Sequence, residues 1–333
     1  MKVALFSTQH FECPFFMQAN EKARQELRFN KETLRQQTAP MVHGFPAVCA
    51  CVNDKLDAAT LRALVAGTRL VALRLAGYNN VDLPAADKLK ITLMRVPAYA
   101  PAAIAEYAVA LMLTLNRHIH QAYNRVREGN FDLNNLVGFN MSGKTVGIVG
   151  TGKIGTALAH IMKGFGCELL GYDVYHNPAC IELGLRYTDL PTLLAQSDII
   201  SIHCPLTPET KHLVNEQTIQ LMKPGTMLIN TARGAIVDAS AVIEALKKKD
   251  RLSYFGMDVY EEEGPLLFSD LSSTIIQDDV FERLTTLPNV VVTGHQAFLT
   301  REALTQIADI TLGNISDFEA GSAKAENIIM TRK

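Results

Sequence analysis

Excess basic charge, abundant cysteine and long apolar runs are all missing from this 333-residue chain, and each absence removes a class of protein. Lys and Arg number 32 against 34 Asp and Glu, a net charge of −2. Nothing drives the counterion release that phosphate-backbone binding depends on, so nucleic acid is not an expected partner. No stretch reaches the ~18 uninterrupted apolar residues of a membrane span, so no membrane partner is expected. The opening MKVALFSTQHFECPFF soon breaks its apolar run with polar residues and does not read as a signal peptide. A soluble, cytoplasmic protein is the expectation. The six cysteines, Cys13, Cys49, Cys51, Cys167, Cys180 and Cys204, are scattered and are expected as reduced thiols. Cys49 and Cys51 would face the same way in a strand, but no second Cys/His pair at zinc-finger spacing accompanies them. His118 and His120 would diverge by about 200° on a helix. No metal is expected. Internal repeats and low-complexity tracts are missing as well.

What is present is a globular composition, 48% hydrophobic and 20% charged, long enough at roughly 150 residues per domain for two cores. Short apolar runs alternate with helix-like stretches, which argues for an α/β class with parallel sheets. KVALFS (2–7), FPAVCACV (45–52), RLVALRLA (69–76) and ITLMRV (91–96) read as strands, with a helix over 58–67 ended by Gly67. Pro97 and Pro101 then stiffen a non-helical connector, and an apolar helix is expected from Ala102 to Arg127. The alternation resumes with TVGIVG, ELLGYD, DIISIHC, TMLINT, YFGMDV and NVVVTG, near-continuous Val/Ile/Leu runs suited to strands buried on both faces. Residues 299–321 show the 3.6-residue period of a helix and stop at a glycine.

The segment GKTVGIVGTGKIG sets Gly150, Gly152 and Gly155 directly after an apolar strand and ahead of a helix. In that context Gly150 permits the tight turn, Gly152 leaves room for a pyrophosphate, and Gly155 lets the helix press on the strand. The helix N-terminus offers free N–H groups to phosphate. Asp173 closes ELLGYD eighteen residues beyond Gly155. A carboxylate there accepts the hydroxyls of the adenosine ribose and repels the 2′-phosphate of NADP, so NAD is the expected cofactor.

Three further residues follow strand-like runs, at the edge where open α/β sheets bind ligands. Arg233, between Ala232 and Gly234, is placed to fork onto a carboxylate. His295 immediately follows an apolar strand and a glycine. Asp258 ends another strand and precedes Glu261, Glu262 and Glu263, any of which could orient an imidazole. Position alone also leaves open that these are ordinary surface or structural residues.

Longer motifs narrow the choice. MKPGTMLINTARGAIVD (222–238), LLAQSDIISIHCPLTPETKHLV (193–214) and GTGKIG resemble the signatures of the D-2-hydroxyacid dehydrogenase family, and the resemblance extends over essentially the whole chain. Within it, LRLAGYNNVD, RVPAYAP, QDDVF and GHQAFLT look most like the fermentative members that interconvert pyruvate and D-lactate. The resemblance implies two domains with a cleft between them. A Rossmann-type NAD domain (101–298) would be inserted into a discontinuous, flavodoxin-like substrate domain (1–100 and 299–333). By motif, Arg233 would bind the substrate carboxylate and polarise its carbonyl, His295 would donate the proton, and Glu263 would be its partner. Glu263 lies five residues after Asp258, as in the family's D-x-x-x-x-E element, although here Gly264 precedes the proline. Lys153, Ile154, Cys204, Pro205, Thr210, Thr231, Ala232 and Asp258 would join the glycines and Asp173 around NAD. Ala76, Gly77, Tyr99 and Phe298 would hold or wall a small 2-keto or 2-hydroxy acid.

The implied activity is reversible, NADH-dependent reduction of pyruvate to D-lactate, with larger 2-ketoacids as the alternative substrates. A corepressor-like NAD-binding scaffold is the competing class; it would call for disordered tails or peptide-docking features, which this sequence does not show. A homo-oligomer, dimer or tetramer, is expected, with the apolar helix 102–116 as a possible contact.

Overall fold

The computed structural model describes residues 1–248 and 250–330. Two compact units result: Met1–Ala100 together with the chain from Leu299 onward, and Pro101–Phe298.

In the first unit five parallel strands, Lys2–Leu5, Glu26–Phe29, Ala47–Ala50, Leu70–Leu73 and Thr92–Arg95, stand in the spatial order 2-1-3-4-5. That is the flavodoxin-like arrangement. Ile328–Met330 adds an antiparallel strand beside Thr92–Arg95. AVCA and LVAL are buried at every position because helices cover both faces, which is why their sequences run apolar rather than alternating. The helix Arg301–Ala320 starts on Thr300, whose hydroxyl accepts the Ala303 N–H, and ends at Gly321; it packs on Cys13–Ala23.

The second unit holds seven strands, all pairing in parallel. In chain order they are Thr145–Val149, Glu168–Tyr172, Arg186–Tyr187, Ile199–Ile202, Thr226–Asn230, Leu252–Met257 and Val290–Val292. Their spatial order, 3-2-1-4-5-6-7, is the doubly wound sheet of dinucleotide-binding domains. Its switch point lies between Thr145–Val149 and Ile199–Ile202, and ligands bind at the carboxyl ends there.

One element departs from its expected length. The helix expected over 102–127 is two helices, Pro101–Asn116 and Ile119–Arg127, separated at His118, whose φ is +50°. Asn116 causes the break. Its buried amide donates to the Phe139 carbonyl at 2.8 Å and accepts the Phe139 N–H at 2.8 Å, tying the helix end to a distant loop. Pro101–Asn116 packs inward on Lys153–Gly164 and on three strands of its own sheet. Among the described residues no helix is long and apolar enough to cross a membrane.

Candidate active site

The strand Thr145–Val149 runs into Gly150 at φ +95°, where a Cβ would lie 2.4 Å from the Cys204 nitrogen. The glycine loop is thus pressed onto the neighbouring strand end. A Cβ on Gly155 would lie 2.0 Å from the Gly150 carbonyl oxygen, so the helix Lys153–Gly164 sits directly on the loop. Gly152, its N-cap, provides no side chain to cap the helix and has open space where a Cβ would be. The first-turn N–H groups, with Lys153 exposed and Ile154 half-buried, remain available to an anion.

Asp173 is fixed to this loop. Its Oδ2 accepts the Thr151 N–H at 2.6 Å and the Thr151 hydroxyl at 3.1 Å. Thr151 in turn accepts the Tyr187 hydroxyl at 2.7 Å. Neither Thr151 nor Tyr187 belongs to any fingerprint position; only the fold shows that they hold the acid.

Across the switch point, Thr210 closes the turn after Cys204: its hydroxyl donates to the Pro205 carbonyl at 2.7 Å and accepts the Thr207 N–H at 2.8 Å. Burial pushes the Cys204 thiol up to about 11, so it is a neutral, weakly polar wall. Thr231 Oγ1 is buried with no hydrogen-bond partner. A glycine cradle, an uncapped helix N-terminus and an orphaned hydroxyl, at strand ends on either side of Ile199–Ile202, fit a dinucleotide.

Arg233 follows the strand Thr226–Asn230. Asn230 shapes its loop, accepting the Ala232 N–H at 3.1 Å and donating to the Arg233 carbonyl at 2.9 Å. The guanidinium donates to the Ala232 carbonyl at 2.7 Å; among the described residues no other group accepts from it. Gly234 is obligatory, because a Cβ would fall 2.0 Å from the Tyr260 carbonyl carbon and 2.2 Å from the Glu261 nitrogen. The arginine loop and the glutamate loop therefore interlock backbone to backbone.

His295 sits at φ +55°, a conformation that costs a non-glycine residue and needs support. Asp258 supplies it. The Asp258 carbonyl accepts the His295 N–H at 2.8 Å. Its carboxylate accepts the Thr293 hydroxyl at 2.6 Å and the Gln296 and Ala297 N–H groups at 2.9 and 2.7 Å. Burial raises the Asp258 carboxyl above its ordinary value, while these hydrogen bonds oppose the rise. His295 Nδ1 meets Glu263 Oε1 at 2.8 Å, both side chains being 19% exposed. Of the three adjacent glutamates only Glu263 reaches the imidazole. Glu261 pairs with His212 at 2.8 Å and Lys211 at 3.6 Å, and Glu262 is exposed.

In the other unit, Ala76 and Gly77 lie in the loop after Leu70–Leu73, where Arg95 donates to the Ala76 carbonyl at 2.9 Å. Tyr99 of that unit and Phe298, which closes the second unit, are each half-buried.

Residues 109–297 match the family profile described as D-isomer specific 2-hydroxyacid dehydrogenase, NAD binding domain. The chain is 50% identical over 330 residues to the D-lactate dehydrogenase of Escherichia coli K12, covering 99% of this chain and 100% of that one. The apo structure of D-lactate dehydrogenase from Escherichia coli superposes with a TM-score of 0.90 at 49% identity, over 99% and 100% of the two chains. That of D-lactate dehydrogenase with NAD+ from Lactobacillus jensenii gives 0.84 at 32%, over 99% and 100%. The chain belongs to the D-2-hydroxyacid dehydrogenase family and is an NAD-dependent oxidoreductase.

Proposed function

We propose that the enzyme reduces pyruvate to D-lactate, reversibly, with His295 as the proton donor. The observation that carries this reading is the 2.8 Å His295–Glu263 contact, at the same strand edge as a guanidinium with unused donors; likeness to proteins named D-lactate dehydrogenase supports the substrate class. Arg233 grips the keto acid's carboxylate through parallel N–H donors and stabilises negative charge on the carbonyl oxygen. His295 Nε2 gives that oxygen its proton, and Glu263 on Nδ1 fixes the orientation of the ring. NADH, when bound, supplies the hydride. Asp173 holds the adenosine ribose, and the loop from Gly150 to Gly155, with Lys153 and Ile154, holds the pyrophosphate. Cys204, Pro205, Thr210, Thr231, Ala232 and Asp258 line the remainder of the cofactor's course, and Ala76, Gly77, Tyr99 and Phe298 contact the small acid.

Chiral analysis of the product from pyruvate and NADH tests this directly. D-Lactate is expected, with turnover lost in His295→Gln. Formation of L-lactate, or rates on a branched 2-ketoacid far above those on pyruvate, would replace the proposal. We also propose a cytoplasmic homo-oligomer; the described cysteines are all free thiols, and the exposed apolar side chains scattered through residues 119–137 support the self-association.

A further inference from the structure

Each Glu263 oxygen has its own partner. Oε1 meets His295, and Oε2 accepts the Tyr260 N–H at 3.0 Å. The Tyr260 side chain points elsewhere. It is 8% exposed; its ring tilts against Phe281 at 5.3 Å, and its hydroxyl donates to Asp278, 2.8 Å from Oδ2 and 3.1 Å from Oδ1. Asp278 is also the N-cap of the helix Asp279–Thr286, accepting the Phe281 N–H at 2.9 Å.

Between these two residues the chain runs from 261 to 277 without helix or strand, and Glu263 lies near its start. The Tyr260–Asp278 hydrogen bond joins the two ends of this loop. On its other side the Tyr260 peptide is in contact with the Arg233 loop through Gly234. A phenylalanine would fill the same core space, so packing alone does not call for the hydroxyl.

We propose that Tyr260 is a positioning residue for catalysis: anchored through its hydroxyl to Asp278, it fixes the peptide that holds Glu263, and through Glu263 the orientation of His295. The inference rests on the reading of His295 as proton donor and Glu263 as its partner. Burial and the Asp278 anion push the phenol well above its ordinary value, so it stays a donor throughout the working pH range. Asp258, whose carboxyl the nearby His295 pulls down against the rise from burial, is left in place by the substitutions below.

The test compares Tyr260→Phe, Asp278→Ser and Glu263→Gln with the wild-type enzyme. Serine keeps a helix cap but is too short to reach the phenol. Three quantities are measured: the pH profile of kcat/KM for pyruvate reduction, NADH affinity by fluorescence, and Tm. Glu263→Gln should displace the profile's inflection, since a neutral amide replaces the carboxylate that Nδ1 contacts. Tyr260→Phe and Asp278→Ser should each lower kcat by about tenfold, the scale of one hydrogen bond. Both should displace the inflection the same way and leave NADH affinity within about twofold. In a Glu263→Gln background, Tyr260→Phe should add no further displacement. If Glu263→Gln moves the inflection while the other two change only Tm, Tyr260 is a core residue and the proposal fails with the Glu263 reading intact. If Glu263→Gln leaves the profile unmoved, both fall.

Discussion

Arginine and lysine have the same charge, and the difference between them decides what Arg233 does. A guanidinium presents a rigid fork of donors to a carboxylate, whereas an ammonium is a point charge. If Arg233 both orients the keto acid and stabilises the developing oxyanion, Arg233→Lys should lose activity in kcat as well as KM, by about 10²-fold or more in kcat/KM. NADH binding followed by fluorescence should change little; normal pyruvate turnover with weakened NADH binding would move Arg233 to the cofactor. At the other end of the sheet edge, Asp173 should enforce NADH over NADPH, and Asp173→Asn should narrow the ratio of the two kcat/KM values. Equal use of both cofactors by the wild-type enzyme would sink that assignment. These residues were legible because their chemistry follows a strand end within a motif. Glu263 was legible only through the resemblance to the family's D-x-x-x-x-E element, since three consecutive glutamates are equivalent until the loop is folded. Thr151, Tyr187 and Tyr260 were not legible at all. Each acts on another residue across 22 or more positions or through its own peptide N–H, and no local pattern encodes that.

Buried strands are the elements that the sequence declared most clearly, because a strand covered on both faces must run apolar. Two of the edge strands escaped notice for the converse reason. Glu26–Phe29 alternates exposed and half-buried residues, and Arg186–Tyr187 is two residues long. The break at His118 escaped because no glycine or proline marks it and its cause, Asn116, bonds to a residue 23 positions away. A buried strand end can also hold a titratable group at a cost. His203, just past Ile199–Ile202, contacts Ser201 Oγ at 2.8 Å, leaves Nδ1 buried without a partner, and is depressed to about 4 by burial. An unfolded histidine takes up a proton below about 6.5 while the folded one stays neutral, so native stability should fall as pH drops from 6.5 toward 4. Between pH 7 and pH 5 this one residue should remove about 2 kcal/mol. Urea unfolding of wild type and His203→Asn at both pH values isolates the contribution; parallel pH dependences in the two proteins would show that His203 titrates normally.

At the scale of the whole molecule, the proposed self-association follows from where apolar surface remains. The helix Pro101–Asn116 is apolar, but half its residues are buried in its own unit, so its composition reports a core and not a contact. The surplus lies just beyond it. Ile119, Tyr123, Val126, Phe131, Leu133 and Val137 are between 51% and 86% exposed, a concentration that soluble monomers rarely tolerate. Arg117, Ile119, Ala122, Tyr123, Val126 and Arg127 line a groove of about 650 Å³. The next stretch, held by Arg125 through the Asp132 and Asn134 carbonyls, presents Phe131, Leu133 and Val137 outward. A groove and an apolar projection in one segment are self-complementary under a two-fold axis, where each copy's projection meets the other's groove. Stable pairs bury about 800 Å² per partner, and six large side chains suffice for the apolar centre of such a patch. Phe131→Ser combined with Leu133→Ser should therefore shift the sedimentation equilibrium mass of the enzyme from an oligomer toward the 36.6 kDa chain, with NADH binding by the isolated chain preserved. An oligomer unaffected by both substitutions would put the interface elsewhere, and a monomeric wild type would remove it.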